Sequence, residues 1–163
     1  LCETQQHNNR YGYSDVIQAI AKGDYCPFCP EHLVKHHQRL VVIRERGWLL
    51  TTAQWPYDLA ESHYLIICER HIEKLTELTD EDMIAILHLA WFACESDSIS
   101  GGALVMRFGD TTYTGATVRH LHAHLIMPDV VGHRFRRWSR QGLGIVWRRL
   151  KKLFVRAVFF PIG

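Results

Sequence analysis

Between residues 14 and 128 the chain switches between helical and strand-like spacing of its apolar positions, and each switch marks an element. "SDVIQAIAKG", 14–23, predicts a short helix: Ser14 can cap the open amides of the first turn, Asp15 suits the positive end of the dipole, and Gly23 can end it. "YCPFCPEH" follows as a turn set by Pro27 and Pro30. "RLVVIRERGWLLTT", 39–52, holds two β-rich runs separated by "ERG" and predicts a hairpin. After the loop "QWPYDLAES" comes "HYLIIC", 63–68, an apolar strand. "LTDEDMIAILHLAWFACES" is the strongest helix signal, with Thr79 as cap, Asp82 three residues on, and apolar residues at Met83, Ile86, Leu87, Ala90 and Trp91. "ALVMRFGD" is a further strand, and the turn "TTYTGAT" leads into "RHLHAHLIMP", 119–128.

In that last stretch the period is two. An extended chain puts His120, His122 and His124 on one face and Leu121, Ala123 and Leu125 on the other, so the strand has a chemical face and a core face. Three neighbouring imidazoles cannot all carry charge cheaply, and burying them neutral requires partners for their nitrogens. The order of elements predicts an α+β fold, an antiparallel sheet with one long helix packed on it and a shorter N-terminal helix.

Composition adds a boundary. At 163 residues, 47% hydrophobic and 22% charged, the chain matches a soluble globular protein with a core of its own. No apolar run reaches the roughly 18 to 20 residues that span a bilayer, and the opening "LCETQQHNNR" has no hydrophobic signal region, so a cytoplasmic location is the expectation. The net charge of +2 hides an asymmetry: residues 129–163 carry nine Lys and Arg against Asp129, which leaves ten basic against sixteen acidic residues in 1–128. The chain therefore reads as a domain, 1–128, and a basic extension, 129–163. From Leu143 the apolar residues Val146, Trp147, Leu150, Leu153 and Phe154 follow helical spacing between Arg148, Arg149, Lys151 and Lys152. Such an amphipathic helix can pack on the sheet or on a dimer partner, or offer a patch to nucleic acid or an anionic membrane surface. "VFFPIG" closes the chain as a further strand.

Five cysteines, Cys2, Cys26, Cys29, Cys68 and Cys94, fit a reduced compartment better than a disulfide framework. Cys26 and Cys29 form a C-x-x-C pair, which by itself is half of a tetrahedral zinc site, a redox couple or two buried thiols. The histidine strand also has two chemical readings. Alternating imidazoles can grip one metal and leave a position open for water, or one imidazole can attack phosphorus while its neighbours fix its tautomer.

At "HLHAHLI" the sequence resembles the histidine-triad (HIT) superfamily of nucleotide hydrolases and transferases, whose signature is His-x-His-x-His and two apolar residues. "SHYLIICERHIEKLTELTDED", 62–82, is similar to the segment that joins the family's central strand to its long helix. "TGATVRHLHAHLI" is similar to its approach to the triad, with Gly115 and Thr117 where the family has a glycine and a hydroxyl. The resemblance covers residues 25–128. It implies that His122 is the nucleophile of a covalent nucleotidyl-histidine intermediate, that His124 contacts the phosphate and leaving group, and that Thr117 and backbone amides stabilise the charged oxygens. It further implies a structural zinc held by Cys26, Cys29, His71 and His120, with His63 as a supporting hydrogen-bonding residue. The implied activity is hydrolysis at the α-phosphate of a diadenosine polyphosphate, a nucleoside phosphoramidate or an adenylyl conjugate, by a homodimer. A related transferase or phosphorylase is the nearest alternative, and those relatives have glutamine in place of the third histidine. A nucleotide- or nucleic-acid-binding protein with little turnover is the alternative from another class.

Two departures from the family pattern stand out. Where many members have an asparagine before the triad, the nearest residue here is Arg107, either a fork for phosphate oxygens or a surface partner of Asp110. "TTAQWPY" lacks the aspartate some members use to hold ribose hydroxyls; Gln54 is the candidate replacement, and Trp55 either stacks on a base or belongs to the core.

Overall fold

The computed structural model describes residues 13–23, 25–58 and 60–129, so the expectations for the basic extension beyond Asp129 lie outside the described residues. The elements are α1 (Tyr13–Gly23), α2 (Pro30–His36), β1 (Val41–Glu45), β2 (Trp48–Thr52), β3 (Ala60–Cys68), α3 (Asp80–Ser96), β4 (Ala103–Met106), the single turn α4 (Thr111–Thr114) and β5 (His122–Pro128). All strands pair antiparallel in the order β1-β2-β3-β5-β4. The α+β expectation is met. Among the described residues no helix is long and apolar enough to cross a membrane.

The hairpin at "ERG" closes through Arg46 (φ 48°) and Gly47 (φ 77°), two consecutive left-handed residues that match the twist of the flanking strands. The expected cap Ser14 lies within α1. Pro30, read as a turn residue, instead opens α2, because its fixed φ and missing amide suit the first helical position. The triad strand enters the ladder only at His122, so His120 and Leu121 precede β5.

α3 starts where its capping residues dictate: the Thr79 side chain accepts from the Asp82 amide, and the Asp82 carboxylate accepts from the Thr79 amide. Of the expected face, Ile86 and Ala90 are buried and the other three residues are not. Ala85, Ile86, Leu89, Ala90 and Ala93 pack on the sheet, whereas Met83, Leu87 and Trp91 are 48%, 61% and 64% exposed. The helix is apolar nearly all round, and three alanines let its backbone approach the sheet closely. Beneath it lie Trp48, Leu50, Tyr64, Ile66, Leu121, Ala123 and Leu125. Each large aliphatic side chain removed from water there contributes about 1.5–3 kcal/mol. The opposite face carries the histidines and a smaller cluster of Leu33, Leu49, Ala53, Leu65 and Ile67, with Phe28 and Val41 against it.

Candidate functional site

Two backbone bonds carry the strand alternation back before the start of β5: Leu121 N–H donates to the Ile72 carbonyl at 2.7 Å, and Cys68 N–H donates to the Leu121 carbonyl at 3.2 Å. Leu121 is thereby held in the core, and the three triad histidines share one buried face, at 2%, 4% and 8% exposure.

Each imidazole is oriented by a different partner. His120 Nε2–H donates to the Cys68 carbonyl at 2.7 Å, which leaves Nδ1 with its lone pair. His122 Nδ1–H donates to the His120 carbonyl at 2.7 Å, which puts the lone pair on Nε2. His124 is set by a relay. Tyr57 N–H donates to His63 Nδ1 at 3.1 Å; a backbone amide can only donate, so the His63 hydrogen is on Nε2, which donates to His124 Nδ1 at 2.9 Å. His124 then carries its own hydrogen on Nε2. Burial, with the neighbouring charge of Arg107, pushes His122 down to about 4, so it is neutral at pH 7. Burial also pushes His120 down to about 4.

The lone pair of His120 meets the C-x-x-C pair. Cys26 Sγ lies 3.3 Å and Cys29 Sγ 4.0 Å from His120 Nδ1, and Cys29 Sγ lies 3.3 Å from His71 Nδ1. All four ligand atoms lie within 4.8 Å of one another. A tetrahedral zinc separates its sulfur and nitrogen ligands by about 3.6 Å, so the donor set and its spacing fit that ion. The far nitrogens are also provided for: His120 has the Cys68 carbonyl, and His71 Nε2 lies 3.5 Å from Glu73 Oε1. Burial pushes the Cys26 thiol up to about 12. A bound cation would supply the positive charge that turns these thiols into thiolates.

Around His122 the sequence candidates take different positions. Arg107 follows β4, and extension of the Met106↔Ala123 register puts it opposite His122. Its Nη1–H donates to the Gly115 carbonyl at 3.0 Å and its Nη2–H to the Tyr57 hydroxyl at 3.3 Å, while Asp110 instead caps α4. Gly115 (φ 63°) ends α4 in the left-handed region, its amide donating to the Thr111 carbonyl. The Thr117 hydroxyl accepts from Tyr13 Oη–H at 3.0 Å. Gln54 Oε1 accepts from the Gln38 amide, so its carbonyl holds the loop, and Trp55 meets Tyr13 edge to face at 5.3 Å.

Two residues escaped the sequence reading. Tyr57 stacks on His63 (4.6 Å) and on His124 (5.7 Å). Phe28 stands edge-on to His122 at 4.8 Å and to His120 at 6.0 Å. Phe28 had a signal, its place between Cys26 and Cys29; an aromatic residue in a loop, such as Tyr57, has none.

A family model described as "Scavenger mRNA decapping enzyme C-term binding" matches residues 26–137, well over half of the chain. The chain belongs to this histidine-triad family. No curated protein sequence matches it. Solved histidine-triad structures share its fold. A histidine triad nucleotide-binding protein from Candida albicans aligns at TM-score 0.54 and 20% identity, over 82% of this chain and 99% of that one. A HIT family hydrolase from Clostridium thermocellum aligns at 0.51 and 23%, over 67% and 95%. A zinc-bound histidine triad protein from Mycobacterium smegmatis aligns at 0.51 and 20%, over 68% and 79%.

Proposed function

We infer that this histidine-triad protein is a nucleotide hydrolase that cleaves a nucleoside phosphate derivative, with adenine the expected base, at the α-phosphate. The observation that carries the reading is His122: a buried, neutral imidazole whose Nδ1–H is held by the His120 carbonyl, so that Nε2 is the nucleophilic nitrogen. Its lone pair attacks the α-phosphorus and forms a P–N bond. The bond from phosphorus to the leaving group breaks, and its electron pair departs with that group. Water then attacks the same phosphorus, the P–N bond breaks, the nucleoside monophosphate leaves, and the proton of the water passes to solvent. His124 Nε2–H is positioned by the Tyr57–His63 relay to donate to a phosphate or leaving-group oxygen. The Thr117 hydroxyl and Arg107 supply further donors, and Gln54 retains its amide hydrogens for a ribose.

Cys26, Cys29, His71 and His120 are the residues that would hold a structural zinc, an ion that the Mycobacterium smegmatis protein carries by its description. Bound there, zinc would supply a cross-link between the C-x-x-C turn and the strand two residues from the nucleophile. A homodimer is supported by the exposed Leu87 and Trp91 of α3, apolar surface that a second copy would cover.

The test is a panel of adenylyl substrates, quenched during turnover, with mass detection of the peptide that contains His122. Hydrolysis with a nucleotide mass on that peptide is the expected result. Turnover without the adduct, or no turnover of any adenylyl substrate, overturns the reading.

A further inference from the structure

We propose that Arg107, positioned by Tyr57, selects the leaving group: the site prefers phosphoric anhydrides, which release an anion, over phosphoramidates, which release an amine. This rests on the nucleotidyl-histidine reading above.

The first observation is a charge without a counterion. Arg44, Arg46, Arg70 and Arg119 each lie within 4.0 Å of a carboxylate, at the surface. Arg107 is half-buried on the histidine face, and its hydrogen bonds go to neutral acceptors, the Gly115 carbonyl and the Tyr57 hydroxyl. Among the described residues no carboxylate pairs with it. A guanidinium withdrawn from water without an anion is costly. Two of its five N–H donors make those bonds, which leaves three to serve an incoming anion.

The second observation is where the charge is held. Just beyond the β4 ladder, where its extended register faces His122, Arg107 is tied through the Tyr57 hydroxyl to the ring that stacks on His63 and His124. One residue thus fixes both the cation and the relay that orients His124.

The sign of the charge then decides between leaving groups. When His122 Nε2 attacks an anhydride, the P–O bond breaks, the electron pair goes to the bridging oxygen, and a phosphate anion leaves without needing a proton. A guanidinium nearby stabilises that developing charge. In a phosphoramidate the P–N bond breaks, and the nitrogen must take up a proton, here from His124 Nε2–H, to leave as an amine. The same guanidinium opposes the positive charge that this protonation builds.

The experiment compares kcat/KM for diadenosine tetraphosphate and for adenosine 5′-phosphoramidate in the unaltered chain and in Arg107→Asn, Arg107→Lys and Tyr57→Phe. The unaltered chain should prefer the anhydride. Arg107→Asn should lower anhydride turnover by about 10²–10³-fold and phosphoramidate turnover by a far smaller factor, with Arg107→Lys recovering part of the difference. Tyr57→Phe keeps the stacked ring and removes the hydroxyl that holds Arg107, so the anhydride kcat should fall by about tenfold with KM little changed, and the phosphoramidate kcat by a smaller factor. Binding of tripolyphosphate by calorimetry gives a readout without turnover, and Arg107→Asn should weaken it. Equal losses on both substrates, unchanged tripolyphosphate binding or a native preference for the phosphoramidate would overturn the proposal and leave the hydrolase reading standing. Absence of the His122 adduct with either substrate brings down both.

Discussion

The two faces of the central sheet both bury polar groups, and they do so in opposite ways. Under α3 the carboxylate of Asp82, 1% exposed, accepts from Trp48 Nε1–H, Arg70 Nη2–H, the Thr79 amide and the Thr79 hydroxyl, at 2.7 to 3.0 Å. Its lone pairs are used inside the fold. On the other face each triad imidazole gives one nitrogen to an internal partner that fixes its tautomer; the second nitrogen of His120 meets the C-x-x-C pair, and that of His122 is oriented for chemistry. A closed network holds a helix to a sheet. A half-closed one holds chemistry in place.

If that distinction is right, substitutions on the histidine face remove activity or metal, and the fold around α3 survives them. His122→Ala should have the largest effect, a loss of turnover of at least about 10⁴-fold with the nucleotide adduct gone. Its thermal midpoint should stay within a few degrees of the unaltered chain. A variant that unfolds instead would show that the histidine face is structural as well. Cys26→Ser comes next. Metal analysis should find the ion reduced or absent, and stability should fall by on the order of 4 kcal/mol, an effect that a chelator reproduces in the unaltered chain. Full metal occupancy in the variant would remove the Cys2His2 assignment. His63→Leu breaks the relay between the Tyr57 amide and His124. It should lower kcat by about 10²-fold with KM nearly constant, because the His124 hydrogen is no longer confined to Nε2. His63→Gln, whose amide can both accept from Tyr57 and donate to His124, should restore part of that loss. Equal rates for His63→Leu and the unaltered chain would dismiss the relay.

How much of each face could be read from the sequence follows from the range of the interactions. Thr79 and Asp82 lie three residues apart, and "ERG" closes a turn on itself, so both were visible as local patterns. The histidine alternation was equally local, and the C-x-x-C pair with His71 and His120 came through the family resemblance; the structure brings these four together. The buried face of α3 was legible only at Ile86 and Ala90. Met83, Leu87 and Trp91 are as apolar as the residues that pack, and only contact with the sheet picks out Ala85, Leu89 and Ala93. Nor was the partnership of His63 with His124, 61 residues apart, or the triple part of Tyr57 as amide donor, stacking ring and acceptor for Arg107.

The closed face gives the smallest effect, and pH gives its sign. Asp82 is buried, which by itself would raise its pKa, but the hydrogen bonds from Thr79, Trp48 and Arg70 outweigh burial and hold it down to about 2. An ordinary aspartate titrates near 3.9, so the folded state favours the ionised form. The resulting stability is present above pH about 4 and is lost as pH falls from there through about 2, in total on the order of 2 kcal/mol. Asp82→Asn cannot ionise. It should melt about 4–8 °C lower than the unaltered chain at pH 7, with the gap closing towards pH 2. Turnover at pH 7, measured well below either melting point, should be nearly the same in both proteins. A gap that stays constant with pH would mean that shape, not charge, makes Asp82 useful beneath α3. A large loss of turnover in the folded variant would mean that the two faces of the sheet are coupled.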